Sequence, residues 1–389
     1  MSSIIYLDNN ATTRVAPEVL EAMLPWLGDK GYGNPSSAYG LGRAAAAALE
    51  VARGQVAALA RCREGEIVFT SCGTESLNTA VQSALALDPD KRHIVTTTVE
   101  HSATIKLCEA LAQRGYEITW LPVDASGLLD LEQLEAAIRP DTALVTLLWA
   151  NNETGVLFPI HEIEAITRKK KVLLHVDAVQ AFGKLPLSLG DAEISFLSMS
   201  GHKLHAPKGV GALYVNRRVK LTPLLRGSQE GGRRGGTQNL ASIAGFGKAA
   251  ELAAEHLGSR QVMEWRDAFE DHLLANIPGT AVNGDRDRRL PNTTNISFEG
   301  IDGEGALILF DQDGLCCSAG SACTSASVNP SHVLKAMGLS NERARASLRF
   351  SFGRFNSASD IQRACQIVRE VVKKLRALSP AGSPVREAD

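Results

Sequence analysis

The sequence predicts an α/β fold, in which a large domain with a mostly parallel sheet between helices precedes a smaller α+β domain. The main observation is a repeating unit between residues 66 and 176, where short apolar runs alternate with stretches of helical spacing. This alternation is typical of parallel strands joined by right-handed helical crossovers. The length of 389 residues exceeds one typical core, and the 34 glycines suit many tight turns between strands and helices.

The predicted elements follow in chain order. Pro17 suits the first turn of a helix because its φ is fixed, and the alanine-rich stretch 43–62 has apolar residues at helical spacing. Strands are predicted at 4–7, 66–70, 93–98, 117–121, 143–149, 172–176, 209–215 and 294–298. Helices are predicted at 17–27, 43–62, 130–138, 240–257, 260–277, 303–310 and 360–378, with others ending near 87 and 114 and one after Pro159.

We divide the chain into four segments on this basis. Residues 1–15 are an N-terminal segment that packs with the small domain, and residues 16–258 are the large domain. Residues 259–378 are the small domain. Residues 379–389, rich in proline, glycine and charge, are predicted to be a flexible tail.

Composition excludes several classes of protein. The formal net charge of −2, without a basic stretch, argues against nucleic acid as a partner. The 7 cysteines lack CxxC spacing, which argues against a disulfide framework or a zinc site. The N-terminus has no basic segment followed by an apolar core, and no apolar run approaches about eighteen residues. We therefore expect a cytoplasmic protein without a membrane span.

Polar side chains directly follow four of the predicted strands. They are Thr74, His101, Asn152 and Asp177. In open α/β sheets, ligands bind beyond the carboxyl ends of the strands. The sheet is therefore expected to bring these four residues together.

Lys203 is the centre of this predicted site. It lies in the stretch 200–205 between two predicted strands, whereas Asp177 ends the preceding buried strand and Gln180 follows one turn later. An acid in that position can hold a pyridine nitrogen protonated, which makes the ring an electron sink. Burial beside other donors can lower the pKa of a lysine, so that its amine attacks an aldehyde. The pattern predicts that Lys203 holds pyridoxal phosphate as a Schiff base.

Each residue taken alone also has a structural interpretation. Lys203 can be a solvated charge, and Gly73-Thr74 can bind a phosphate or cap a helix. His101 can stack on the cofactor ring and move protons or be a buried structural histidine. Asn152 can hydrogen-bond the ring hydroxyl or shape a turn.

The phosphate of the cofactor has further candidate ligands. Ser200 and His202 flank the lysine, and a metal site at His202 and His205 is disfavoured because no carboxylate or thiol lies at ligand spacing. In the glycine- and arginine-rich stretch 226–239, Thr237 can add a phosphate contact across a dimer. That stretch matches neither GxGxxG nor GxxxxGK[ST], which argues against a nucleotide site.

Two features of the second half concern the substrate. Residues 318–327 are all small, which predicts an accessible, mobile loop and makes Cys323 a candidate nucleophile, whereas Cys316 and Cys317 are predicted to be buried. Arg349 can bind a substrate carboxylate through its guanidinium fork or form a surface salt bridge.

These residues resemble those of the cysteine desulfurases, which are class V members of the fold-type I pyridoxal phosphate enzymes. The resemblance extends from residues 6–13 to the final helix, and its most specific motifs are Trp149–Gly155, Gly201–Gly209 and Gly320–Cys323. These motifs resemble in particular the NifS type, which serves nitrogenase cluster assembly. The housekeeping IscS type is the close relative.

The resemblance implies a seven-stranded sheet, a homodimer and a set of residue roles. Lys203 would carry the cofactor, Asp177 would pair with its pyridine nitrogen, and Gln180 and Asn152 would contact the ring oxygen. His101 would stack on the ring and shuttle protons, while Asn152 and Arg349 would bind the substrate. The phosphate would be held by Gly73, Thr74, Ser200, Gly201 and His202 of one subunit. The partner subunit's Thr237 would add a further contact.

The same resemblance implies the reaction. L-cysteine would give L-alanine and a persulfide on Cys323, and the sulfur would pass to a NifU-like or IscU-like iron–sulfur scaffold, for nitrogenase maturation in the NifS case. No intrinsic metal is implied, although Cys323 can ligate a nascent cluster. The alternatives are a housekeeping desulfurase, a class V aminotransferase in which Cys323 is incidental, and a catalytically silent scaffold.

Overall fold

The computed structural model describes residues 4–29, 31–190, 192–319 and 330–378. The strands are β1 (Ile5–Tyr6), β2 (Ile67–Thr70), β3 (His93–Thr97), β4 (Glu117–Leu121), β5 (Thr142–Leu148), β6 (Leu173–Asp177), β7 (Phe196–Ser200), β8 (Gly211–Val215), β9 (Thr280–Val282), β10 (Thr293–Phe298), β11 (Leu315–Cys316), β12 (Ser318–Ala319) and β13 (Ser347–Ser351). The α-helices are α1 (Pro17–Met23), α2 (Gly40–Ala60), α3 (Gly73–Leu87), α4 (Ser102–Gln113), α5 (Leu131–Ala137), α6 (Ile160–Lys170), α7 (Leu240–His256), α8 (Gln261–Asn276), α9 (Gly303–Gln312), α10 (His332–Ala336), α11 (Asn341–Arg345) and α12 (Ala358–Leu378).

Strands β2 to β8 form one seven-stranded sheet in the order β2-β8-β7-β6-β5-β3-β4. Only β8 is antiparallel to its neighbours, and the remaining neighbouring pairs are parallel. The predicted mostly parallel seven-stranded sheet is therefore confirmed. Strands β6 and β7 are adjacent, with Asp177 opposite Ser198, so the segments after both strands leave the sheet side by side.

Helices cover both faces of this sheet, because its strands are apolar on both sides. Along β2, Ile67 and Phe69 lie in one buried cluster with Val56 of α2. Between them, Val68 lies in a second cluster with Val81 of α3. This alternation is the period of two that a strand imposes on its side chains.

A second sheet, in the order β12-β13-β10-β9, forms with α8, α9 and α12 a separate hydrophobic core. Ile5 and Leu7 of the N-terminal segment are buried in that core beside Phe269, Phe298 and Phe350, and β1 pairs in parallel with β11. The core of the large sheet also contains Leu290 and, from α10 and α11, Val333, Leu334 and Ala344, so the division at residue 258 stays a prediction.

Most predicted helices are present, and the differences have local causes. The helix predicted at 17–27 ends at Met23 and continues as a 3-10 turn over Leu24–Trp26, where Pro25 has no N–H to continue the α-helical pattern. Helices α10 and α11 are too short for hydrophobic periodicity to reveal them.

The Cys323 loop and the predicted tail at 379–389 lie outside the described residues. No helix in the described ranges has the length and the apolar character needed to cross a bilayer.

Candidate active site

A cavity of about 360 Å³ lies beyond the carboxyl ends of the parallel strands. Its walls include Thr74 after β2, His101 after β3, Asn152 after β5 and Asp177 at the end of β6. Gly73, Gln180, Ser200, His202, Lys203 and Arg349 also line it. The convergence predicted from the strand ends is therefore seen in the fold, and ten of the predicted site residues lie around one space.

Lys203 is the last residue of a 3-10 turn that begins directly after β7. Its Nζ donates to the carbonyl oxygens of Asn10 at 2.6 Å and Ala11 at 2.7 Å. Gly201 is buried at the start of that turn and does not line the cavity, and a Cβ there would lie 2.9 Å from a methyl group of Val210. The N-terminal segment thus holds the lysine amine in the cavity wall.

Asp177 is half-buried at the end of β6, and its Oδ1 accepts a hydrogen bond from the backbone N–H of Val179 at 2.9 Å. Burial raises the pKa of this carboxyl above its ordinary value, although His101 and Lys203 oppose the shift. A protonated ring nitrogen would supply the cation that favours the carboxylate. The environment of Asp177 therefore suits the role that the resemblance implies.

The wall at the start of α3 has the features of a phosphate site. Cys72, not Gly73 or Thr74, is the N-cap, because its Sγ accepts from the Glu75 N–H. The N-terminus of a helix favours an anion. A Cβ at Gly73 would lie 2.7 Å from a methyl group of Val179, so glycine leaves this wall open.

Two side chains after β7 complete that wall. Ser200 Oγ is buried and has no hydrogen-bond partner among the described residues. Burial, together with the charge of Lys203, lowers the pKa of His202 to about 4, so its imidazole is neutral and shares a hydrogen bond with Thr12 Oγ1 at 3.1 Å. These residues fit the phosphate of pyridoxal phosphate, which would give Ser200 Oγ the acceptor that the described protein does not provide.

His101 is the N-cap of α4, and its Nδ1 accepts from the backbone N–H of Ala103 at 3.2 Å. In the neutral ring this bond puts the hydrogen on Nε2. His101 therefore has a structural role as a helix cap, one of the two interpretations that its sequence position allowed. It also sets the tautomer of an imidazole that lines the cavity and lowers the pKa of Asp177.

Arg349 is not part of a surface salt bridge, because it is only 1% exposed in β13. Its guanidinium donates to Asp8 Oδ1 at 2.7 Å and to the Asn152 carbonyl oxygen at 2.9 Å. Its Nε has no partner among the described residues. Arg349 is therefore a fixed, partly satisfied cation in the cavity wall, which suits a carboxylate ligand.

Asn10 is a site residue that the sequence did not single out. It is only 1% exposed, and its carbonyl oxygen accepts from Lys203 and from Gln180 Nε2, the latter at 2.9 Å. Gln180 Oε1 in turn accepts from Lys184 Nζ at 2.8 Å. The only local signal for Asn10 was the polar turn after the first strand, which is common in loops.

Two buried acids, Glu153 in the cavity wall and Glu100 outside it, were not predicted. Burial raises the pKa of Glu100 to about 8, and the charge of Asp177 adds to the shift. Burial also raises the pKa of Glu153, which lines the cavity and accepts a hydrogen bond from Ser331 Oγ. Both residues follow strands within the polar stretches next to His101 and Asn152.

Thr237, like Gly201, does not line this cavity. Cys323 lies outside the described residues. Cys316 and Cys317 are half-buried rather than fully buried, and burial raises the pKa of the Cys317 thiol well above its ordinary value.

Comparison with known proteins places these features in a family. Residues 5–364 match the family described as aminotransferase class-V. A cysteine desulfurase of Trichormus azollae is 52% identical over 381 residues, which cover 97% of this chain and 95% of that protein. The cysteine desulfurase NifS of Azotobacter vinelandii is 48% identical over 380 residues, which cover 97% of this chain and 94% of that protein.

Solved structures show the same similarity in three dimensions. A NifS-like protein superimposes with a TM-score of 0.90 at 36% identity, covering 96% of this chain and all 100% of that one. SspA in complex with cysteine superimposes with a TM-score of 0.79 at 37% identity, covering 90% of this chain and 99% of that one.

Proposed function

The chain belongs to the class V aminotransferase family, whose enzymes use pyridoxal phosphate, and we propose that it is a cysteine desulfurase that releases L-alanine and keeps the sulfur on Cys323. The observation that carries this proposal is that one cavity brings together Lys203 from the turn after β7, Asp177 from β6 and Arg349 from β13. These supply an amine for an aldehyde, an acid for a pyridine nitrogen and a guanidinium for a carboxylate. Pyridoxal phosphate has the aldehyde and the pyridine nitrogen, and an amino acid substrate has the carboxylate.

We propose that the cofactor is held at its two ends by different parts of the sheet. Asp177 and Gln180 would contact the ring, and Asn152 would add a hydrogen bond to the ring oxygen. Gly73, Thr74, Ser200 and His202 would hold the phosphate, whereas the N–H of the predicted ligand Gly201 already donates to the Val210 carbonyl at 3.0 Å. When bound, pyridoxal phosphate supplies an electron sink for the charge that remains when a proton leaves the substrate.

Arg349 would bind the carboxylate of L-cysteine. Asp8 and the Asn152 carbonyl fix the guanidinium in place, so it need not reorganise when the substrate arrives. A carboxylate bound there points the amino end of the substrate towards the rest of the cavity, where Lys203 lies. The Lys203 amine then removes the proton from the substrate α-carbon.

His101 would return a proton. Because its Nδ1 already accepts from Ala103, the proton of the neutral ring is on Nε2. Nε2 is therefore the atom from which His101 would donate.

The sulfur step would use Cys323 as its thiolate. The thiolate attacks the substrate sulfur, an S–S bond forms, and the bond between that sulfur and the β-carbon breaks. The electron pair of the broken bond stays with the carbon fragment, which takes up protons and leaves as L-alanine. One cysteine and one thiol give one alanine and one persulfide, so no external oxidant or reductant is needed.

We further propose that the acceptor is a NifU-like iron–sulfur scaffold and that the protein serves nitrogenase maturation. The similarity to the Azotobacter vinelandii NifS over nearly the full chain supports this assignment. The alternative is an IscU-like scaffold and a housekeeping role. Transfer of labelled sulfur from the isolated persulfide to each scaffold distinguishes the two, since equal or faster transfer to the IscU-like scaffold would contradict our assignment.

We also propose that the protein is a homodimer in which Thr237 reaches the phosphate of the other subunit. Thr237 does not line the cavity of its own chain. Large apolar side chains are exposed on the surface, as expected for an interface: Leu20, Leu24, Leu27, Tyr32, Tyr39, Val51, Leu224 and Leu225. Sedimentation of the purified protein as a monomer would refute this part.

The main test is mass spectrometry of the peptide that contains Cys323 after L-cysteine is added. We expect one extra sulfur on that peptide and none in the Cys323→Ala variant. Cys317→Ala is the matched control, because burial disfavours the thiolate of Cys317, and it should keep the modification.

Two outcomes would favour the alternatives. If Cys323→Ala forms alanine and sulfide at the normal rate in the presence of thiol, the persulfide mechanism is wrong and Cys323 is incidental. If the purified protein lacks a visible cofactor band that borohydride abolishes, it is a silent scaffold.

A further inference from the structure

His332 is a further imidazole in the candidate active site, and the proposed reaction does not use it. It is the first residue of α10 and lines the same cavity as Lys203 and Arg349. Its Nε2 shares a hydrogen bond of 3.0 Å with the backbone carbonyl oxygen of Glu100. Because a carbonyl oxygen can only accept, Nε2 carries the hydrogen, and in the neutral ring Nδ1 keeps a lone pair. Among the described residues, Nδ1 has no hydrogen-bond partner.

Two contacts place His332 at the end of the cavity that holds Arg349. Arg349 Nη1 donates to the carbonyl oxygen of Asn152 at 2.9 Å. The carboxyl group of the following residue, Glu153, accepts from the hydroxyl group of Ser331, which directly precedes His332. Burial raises the pKa of Glu153, and the charges of His332 and Arg349 both oppose that shift, as expected if both side chains lie near this carboxyl group.

An amino acid bound at Arg349 would turn its side chain towards this part of the wall. Arg349 is assigned to the carboxylate of the substrate, and the amino group of the substrate points towards Lys203. The hydrogen on the α-carbon must also face Lys203, because the Lys203 amine removes it. The side chain is therefore the group that remains for the wall formed by His332 and Glu153.

We propose that His332 is a specificity-determining residue, whose Nδ1 accepts a hydrogen bond from the thiol group of L-cysteine. A thiol is a weak donor, and the lone pair of an imidazole nitrogen can accept its hydrogen. The bond to Glu100 already fixes the ring, so Nδ1 need not reorganise when the substrate arrives. The inference rests on the proposed function, because it takes Arg349 as the ligand of the substrate carboxylate.

The test compares two amino acids of similar shape, L-cysteine and L-2-aminobutyrate, in which a methyl group replaces the thiol. The reference is the full-length, cofactor-loaded protein with Cys323→Ala, so that no persulfide can form at that position. The change of the visible cofactor band gives the Kd of each amino acid at about pH 7.5, above the ordinary pKa of an imidazole and below that of a thiol. We expect L-cysteine to bind about fivefold more tightly, which corresponds to one net hydrogen bond.

Two further variants in this background separate the proposed role from a structural one. In His332→Gln, the amide nitrogen can still donate to the Glu100 carbonyl, but no acceptor replaces Nδ1, so the preference for L-cysteine should disappear. In His332→Asn, the amide oxygen can take the place of Nδ1, whereas the shorter side chain loses the bond to Glu100, so the preference should remain. His272→Gln is the matched control and should keep the preference, because His272 is exposed in α8 and does not line the cavity.

Equal Kd values for the two amino acids in the reference protein would overturn the proposal. Loss of the preference in His332→Asn but not in His332→Gln would also overturn it, because His332 would then act only through Glu100. If His332→Gln does not fold, the reference protein and His332→Asn can still contradict the proposal. Binding requires no turnover, so a protein that shows the expected Kd ratios but releases no alanine would refute the proposed function and leave this inference standing.

Discussion

The segment that carries Thr237 contains one partner of a buried ion pair, Glu230, which pairs with Arg53. Replacing Glu230 with glutamine should show how much this pair contributes to the free energy of unfolding. Glu230 accepts from Arg53 through both carboxylate oxygens, at 2.8 Å and 3.1 Å. One of these oxygens also accepts from the backbone N–H of Phe69 at 3.0 Å. The side chains are only 8% exposed for Arg53 and 1% for Glu230.

The size of the effect follows from this geometry. Every group that faces the Glu230 carboxylate in these bonds is a donor, so the new amide NH₂ of glutamine would face donors and find no acceptor there. Arg53 would keep its bond to the Ile67 carbonyl at 3.0 Å and its contact with the exposed Glu50 carboxylate at 3.2 Å, but it would lose its buried counterion. Removing one partner of a buried pair costs about 3–5 kcal/mol. Because the glutamine oxygen can still accept one bond, we expect the lower end, about 3 kcal/mol.

The assay is urea unfolding followed by circular dichroism, with Glu117→Gln as the matched control. Arg139 and Glu117 form the same two-bond fork, at 2.6 Å and 2.8 Å, but their side chains are 36% and 65% exposed. Solvent screens an exposed pair, so this variant should unfold like the original protein. Equal losses in both variants, or no loss in Glu230→Gln, would refute the argument that burial decides the effect.

Three further predictions concern the site and the pH dependence of stability. Arg349→Lys loses the fork for the substrate carboxylate, so the KM for L-cysteine should rise at least about tenfold in initial-rate measurements, and an unchanged KM would contradict the assignment. Gly73→Ala places a Cβ 2.7 Å from the Val179 methyl group and should raise the Kd for pyridoxal phosphate about tenfold in an absorbance titration, whereas Gly65→Ala, which meets open space, should not. Burial lowers the pKa of His175 to about 3 from its ordinary 6.5, so only the unfolded state binds this proton between those values. The contribution of neutral His175 to the free energy of unfolding is therefore complete above pH 6.5 and is lost as the pH drops towards 3. Within this interval, His175→Gln should make the slope of the unfolding free energy against pH shallower by about 1.4 kcal/mol per pH unit.

Much of the large domain could be predicted because its signals are local. The apolar runs of the sheet are buried on both faces, and each is followed by a helix with its own periodicity. Residues at the ends of parallel strands must meet at one edge of the sheet, so His101 and Asp177 could be placed together without coordinates. The resemblance added roles for residues whose local patterns also fitted caps and turns.

The helix ends and the short elements of the small domain were less predictable. α10 and α11 each span 5 residues, less than the two turns that a periodic pattern needs. Strand β9 has no buried residue in its span, so its sequence lacks the alternation that marks a half-buried strand.

Local order in this protein follows from short-range patterns that are visible along the chain, namely which stretches are strands or helices and which polar residues stand at the strand ends. Only the tertiary structure decided which side chains contact one another. Asn10 contacts both Lys203 and Ser351, Arg349 is buried against Asp8 rather than exposed, and Lys184 shares the contact with Asn10 that Lys203 makes. These contacts join residues far apart in sequence, and both burial and the charge of a neighbour depend on distances that only the folded chain defines.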